Sequence, residues 1–297
     1  MSLEMFATVA LNGLTVSALY FIVAIGFSLI FGLMRTVNMA HGTLYLIGAY
    51  AGVAIFYPLY DQGTPYAWVV AVVVGMAAAA VFGVLLQVTL LGWMQGQELR
   101  QTLVTIGISI IAADQLLAIF GGNSQQFFAP DVLFGSVEVP LVQAGRYSSF
   151  RLFQIAVALG VGIGLWLLLH KTKLGSIVRA GVDDRAMLSA CGVNVALVSV
   201  LVFAIGAALA GLAGVVGGTA QPFGQEKDVQ FLLTSLVVVI VGGMGSLPGT
   251  ALGALLVGMA EQFGQSLFPT YSVMFSLLIM VIVLAIRPQG LLGKRLA

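Results

Sequence analysis

Two carboxylates, Asp114 and Glu261, interrupt runs of apolar sequence long enough to cross a bilayer. An ionisable group at membrane depth is costly, and it marks either a contact between helices or a route for a polar solute. Each of the two therefore has two readings. It pairs with a neighbouring helix, neutral where no cation meets it, or it lines a hydrophilic path with Asn12, Gln87, Ser109, Gln115 and Gln262. No succession of carboxylates and histidines of the kind a proton relay uses is present, and no phosphate-cradling G-x-x-x-x-G-K-[ST] loop. The H-E-x-x-H and G-x-S-x-G patterns are missing too, and the only histidines are His41 and His170. A lone Cys191 leaves neither an internal disulfide nor a cysteine-based metal site. This inventory points away from an enzyme, and no metal or cofactor is expected on the chain itself.

The elements that must position these residues follow from composition. Apolar residues make up 60% of the chain and charged residues only 8%, where soluble domains carry roughly 25%. So little charge cannot cover a soluble fold of 297 residues, so lipid is the main solvent. A span needs about 20 mainly apolar residues. Candidates fall at about 10–33, 38–57, 67–92, 102–120, 150–170, 195–219, 230–247, 250–268 and 271–287. The expected fold is an all-α polytopic membrane protein of about eight or nine spans, some broken or re-entrant, in a single transmembrane domain over 1–297. The weakest candidates are the fourth, interrupted by Asp114, and the seventh, interrupted by Gly242, Gly243 and Gly245.

Two segments rise out of this frame. Residues 121–149, with Pro130, Pro140 and alternating Val132, Phe134, Val137 and Val139, read as a small external cap or hairpin. Residues 171–194 hold the densest charge and read as one amphipathic helix, with Val178, Val182, Leu188 and Cys191 on one face and Arg179, Asp183, Asp184 and Arg185 elsewhere. Its apolar stripe needs something to cover it. With that loop cytoplasmic and nine alternating spans, nine Lys and Arg fall inside and three, Arg146, Arg151 and Lys227, outside. The N-terminus is then external and the C-terminus cytoplasmic.

Glycine is abundant, at 37 residues. Gly206, Ala210, Gly214 and Gly218 share a helix face, as do Gly245, Gly249 and Gly253, and such faces let helices approach closely in lipid. The run Gly242, Gly243, Gly245 and Gly249 is denser than packing requires and reads as a broken or sharply turned helix junction.

Three segments together resemble the permease subunits of ATP-driven branched-chain amino acid importers, the LivH/LivM type. They are Gly32 to Gly42 with Asn38 and His41, Arg179 to Asn194 leading into Ala207 to Gly214, and Gly242 to Gly249 with Gly253 and Glu261 beyond. Their order is similar to the shorter, LivH-like member, over about residues 8–292. The resemblance implies a bacterial or archaeal inner-membrane protein paired with itself or with a LivM-like homologue. An external solute-binding protein would supply substrate and two cytoplasmic ATPase subunits would use the ATP, with no nucleic-acid partner. It makes the segment around Arg179, Asp183, Asp184, Arg185, Leu188 and Gly192 a coupling helix that docks on the ATPase. The family more often has a neutral residue near Asp114, and an added carboxylate favours an amine or urea-like group. Importers of urea, short amides or other amino acids share the same segments, and an ion-coupled secondary carrier is the alternative of a different class.

Overall fold

The computed structural model describes residues 2–34, 37–140, 142–143, 145–183 and 185–293, with side chains for all of these except 34, 182, 183, 185, 186 and 273. Asp184, Arg35, Lys294 and Arg295 lie outside the described residues, as do the side chains of Val182, Asp183 and Arg185.

Apolar helices occupy all nine expected positions. They are α1 (Leu3–Met34), α2 (His41–Asp61), α3 (Ala67–Thr89), α4 (Glu98–Phe120), α5 (Ser149–Lys171), α8 (Val195–Ala220), α9 (Lys227–Gly242), α10 (Leu247–Leu267) and α11 (Ser272–Ile286). Six of them are long and apolar enough to span alone; α9 and α10 form a pair bent by 116°, and the apolar part of the last is shorter, Met274–Ile286. Asp114 does not break α4, which runs unbroken through it. Outside the spans lie α6 (Lys173–Asp183) and α7 (Arg185–Ala190), and the strands β1 (Ser136–Glu138) and β2 (Arg146–Ser148). The two strands pair antiparallel, with Ser136 opposite Ser148, a short hairpin in the second half of 121–149.

The core is built around α8, which packs on α1, α2 and α3. Lipid offers no hydrophobic drive for one helix to leave it for another, so close van der Waals contact must supply the attraction. Glycines make that contact possible. One glycine from each of three helices meets the others: a Cβ at Gly75 would stand 2.6 Å from the Gly48 carbonyl oxygen, one at Gly211 would stand 2.5 Å from that of Gly75, and one at Gly48 would strike the Gly211 backbone. On the opposite side of α8, Gly206 and Gly26 face one another in the same way, at 2.8 and 2.5 Å from each other's carbonyl oxygens.

Two helices do not start at a membrane surface. The chain leaves α1 and turns back inward, so that His41 at the head of α2 donates Nε2–H to the Val23 carbonyl at 3.0 Å, well inside α1. The head of α9 lies at similar depth. Its Phe231 ring packs on Tyr20, midway along α1, and on Tyr45, with centroids 6.5 and 4.3 Å apart. The segment 221–226 bridges from the cap, where Phe223 pairs with Gln125 and Gln225 donates to the Gly121 carbonyl, to the head of α2, where Asp228 meets Gly42. Lys227, expected in an external loop, instead begins a helix packed on the middle of α1.

The α9–α10 junction is the sharp turn that the glycine run implied. Gly243 and Gly245 adopt φ of 108° and 75°, backbone that side-chain-bearing residues rarely take. Gly242 and Gly249 touch backbone to backbone across the turn. The last carbonyls of α9, unpaired within the helix, accept from the tail: Leu291 N–H to Val241 and Leu292 N–H to Gly242, both at 2.9 Å.

A side chain at the three-glycine contact should therefore be resisted by backbone. Gly211→Val is expected to destabilise the protein by about 1–3 kcal/mol or more, lowering its thermal midpoint in detergent, while Gly160→Ala, with open space around it, should not. Equal midpoints for the two variants would refute the backbone-contact account.

Candidate translocation site

The residues expected along a path stand at separate places in the bundle. Asn12 is a tether in the N-terminal half of α1: its Oδ1 accepts from Tyr147 Oη–H at 3.0 Å and from Arg151 at 2.8 Å, joining α1 to β2 and to the head of α5. Gln87 is buried within α3. Ser109 donates to the Ile106 carbonyl of its own helix. Asp114 is exposed on α4, a helix whose only buried residues are Gln101 and Thr105. Gln115 borders an apolar groove of about 410 Å³ between α2, α3 and α4.

Glu261 has both a partner and an opening. Its Oε2 accepts from Tyr20 Oη–H at 2.8 Å, the carboxylate is only half-buried, and Lys227 is close enough to act on it electrostatically.

Sequence reasoning missed the most deeply buried carboxylate among the described residues. Asp228, in the first turn of α9, is 4% exposed, and Thr43 Oγ1–H donates to its Oδ2 at 3.1 Å. Its main-chain and side-chain oxygens lie against Gly42 in the first turn of α2, where a Cβ would collide with both. A carboxylate there faces the partial positive charge of one helix N-terminus while belonging to the first turn of another. This explains why a glycine stands at position 42. The sequence hid the contact because Asp228 reads as the polar end of a surface loop, and its partner is far away in the chain. Asn38 and His41 belong to the same junction: Asn38 Oδ1 accepts from the Ala40 N–H at 3.0 Å, and His41 stacks edge-on to Phe27 at 5.3 Å. Asn38 closes the turn ahead of α2, and His41 ties that turn to α1.

Comparison with known proteins decides what this bundle is. The profile of the family described as "Branched-chain amino acid transport system / permease component" matches residues 9–284. The chain belongs to this family. Among its relatives, the high-affinity branched-chain amino acid transport system permease protein BraD of Pseudomonas aeruginosa is 30% identical over 293 residues, covering 95% of this chain and 94% of that protein. The corresponding LivH of Escherichia coli is 27% identical over 299 residues, with 95% and 94% covered. LivM of Escherichia coli is 28% identical over 301 residues, 94% of this chain and 68% of its own length. No solved structure matches the chain significantly. The protein is a multi-pass membrane transport subunit.

In this permease the segment 171–194 is helical over Lys173–Asp183 and Arg185–Ala190, and two residues of its expected apolar stripe, Val178 and Leu188, are already covered, while Cys191 is exposed. Val178 is 4% and Leu188 7% exposed, and Val178 lies within a cluster that holds Leu29 and Leu33 of α1 and Leu165 and Leu169 of α5. Gly181 lets Leu188 and Leu33 close over it, each 3.1 Å from where a Cβ would sit. Arg179 is tied down as well, donating from a guanidinium nitrogen to the Leu169 carbonyl at 2.6 Å and so capping the end of α5. Leu188 and Arg179 thus fasten the segment to the bundle. The outward face carries Ser176, Ala180, Met187 and Ser189, while Gly192 turns the chain at φ 81°.

The Asp228 junction makes a measurable claim. Thr43→Val and Asp228→Asn should each lower thermal stability, by about 1–3 kcal/mol if the remaining buried group loses its partner. The double variant should cost less than the sum of the two. Strict additivity would mean that the hydrogen bond does not hold α9 to α2.

Proposed function

We propose that the chain is one of two permease subunits of an ATP-binding-cassette importer for branched-chain amino acids. A second permease, LivM-like or another copy, completes the path. Two cytoplasmic ATPase subunits engage the outward face of α6 and α7, and an external binding protein delivers substrate. The family and its named relatives support the substrate class.

The observation that carries the pairing is Asp114. An ionisable side chain on a lipid-facing helix is costly, yet Asp114 stands exposed on α4, whose remaining surface is also largely uncovered. Protein or water, not lipid, must face it. The resemblance between this chain and LivM (28% identity) favours a homologous permease on that side. An external N-terminus and a cytoplasmic C-terminus agree with the excess of Lys and Arg near α6, which carries Lys173 and Arg179 and packs against the end of α1.

Reconstitution tests this reading. Vesicles containing both permeases, the ATPases and the binding protein should take up leucine only with ATP. Asp184→Lys with Arg185→Glu should leave the complex assembled but abolish ATP-driven uptake. Leucine flux through the purified chain alone, driven by an ion gradient, would instead establish a secondary carrier.

A further inference from the structure

The head of α9 gathers charges of both signs where lipid should be. Glu226, Val229 and Gln230 are exposed, Lys227 and Glu261 half-buried. Glu261 bonds to Tyr20, midway along α1, and Phe231 of α9 packs on the same ring, while Lys227 lies close enough to act on Glu261 and Glu226 close enough to act on Tyr50. Lys227 Nζ–H donates to Gln230 at 2.7 Å, and among the described residues no carboxylate closes an ion pair with it. Three charged groups open to the surface at half depth cannot face hydrocarbon, so this face of α9 borders water. Its composition is ordered. Glu226 and Lys227 sit at the head, and the exposed Val229 and Leu233 follow one turn apart on the same face, 59% and 55% exposed.

We propose that this face of α9 is the substrate-binding wall of the translocation path and takes a free α-amino acid in its zwitterionic form. Lys227 receives the α-carboxylate, Glu226 and Glu261 receive the α-ammonium, and Val229 with Leu233 receive an apolar side chain. Tyr20 holds Glu261 in place through its hydroxyl. This proposal rests on the importer reading above and adds the site to it. Asp228 is excluded from the wall, because it is buried and bonded to Thr43.

The test uses the complete importer in vesicles, with leucine as the probe. Lys227→Gln and Glu226→Gln should each reduce leucine uptake about tenfold or more, the effect of losing a charge-assisted hydrogen bond. Lys227→Arg should retain most of it. Binding-protein affinity for leucine and assembly of the complex should stay unchanged, which separates a site defect from misfolding. As a second measure, Lys227→Cys in a Cys191→Ser background should react with an aminoethyl thiosulfonate, regain uptake once the ammonium is restored, and be protected when leucine-loaded binding protein docks. Wild-type vesicles that take up no leucine would sink the importer reading. Wild-type uptake with near-normal Lys227→Gln and Glu226→Gln, or a Lys227→Cys variant whose thiol no reagent reaches, would sink this site alone.

Discussion

Backbone-to-backbone approach at glycine is the constraint on which the rest of this permease depends. Because lipid matches the apolar side chains as well as another helix would, the central helices are held by contact distance and not by exclusion from solvent. Gly48, Gly75 and Gly211 bring α2, α3 and α8 together, and Gly26 with Gly206 brings α1 to the other side of α8. That spacing fixes where α2 begins. It therefore also fixes where Thr43 meets Asp228 and how α9 is aimed.

Helices that begin at half depth expose unpaired N–H groups in a region with no bulk water, which is tolerated only inside protein or beside an aqueous cavity. The permease uses both solutions. The head of α2 is enclosed, with Asp228 set against it and His41 bonded back to α1. The head of α9 turns its other face outward and carries Glu226, Lys227 and Gln230. The same junction is thus dry on one side and polar on the other, and the α9–α10 turn, closed by the C-terminal tail, keeps it rigid.

The end of α1 joins these parts mechanically. Gly32 packs on Gly245 in the α9–α10 turn, while Leu33 packs beside Gly181 of α6. Arg179 adds a second link to the end of α5. A force applied to α6 and α7 is therefore delivered to the base of α9 through adjacent residues of one helix. The burial of Val178 and Leu188 serves this link, since a loosely attached segment would move without moving the bundle.

Much of this was legible in the chain. Hydropathy is a local property, so the nine helix positions, the hairpin and the glycine turn could be read from windows of about 20 residues. The family segments were equally readable, because each is contiguous. Depth and covering are not local. Asp114 and Glu261 look alike in sequence, yet one is bare on α4 and the other bonded to Tyr20. Lys227 and Asp228 read as one polar loop, and only the bridge of 221–226 carries them to the head of α2 and turns them to opposite environments. The sequence by itself determined which segments partition into lipid and which family they belong to. The tertiary structure decided which polar groups are paired, which face water and which apolar stripe is already filled, because those depend on residues brought together from distant parts of the chain by helix contact.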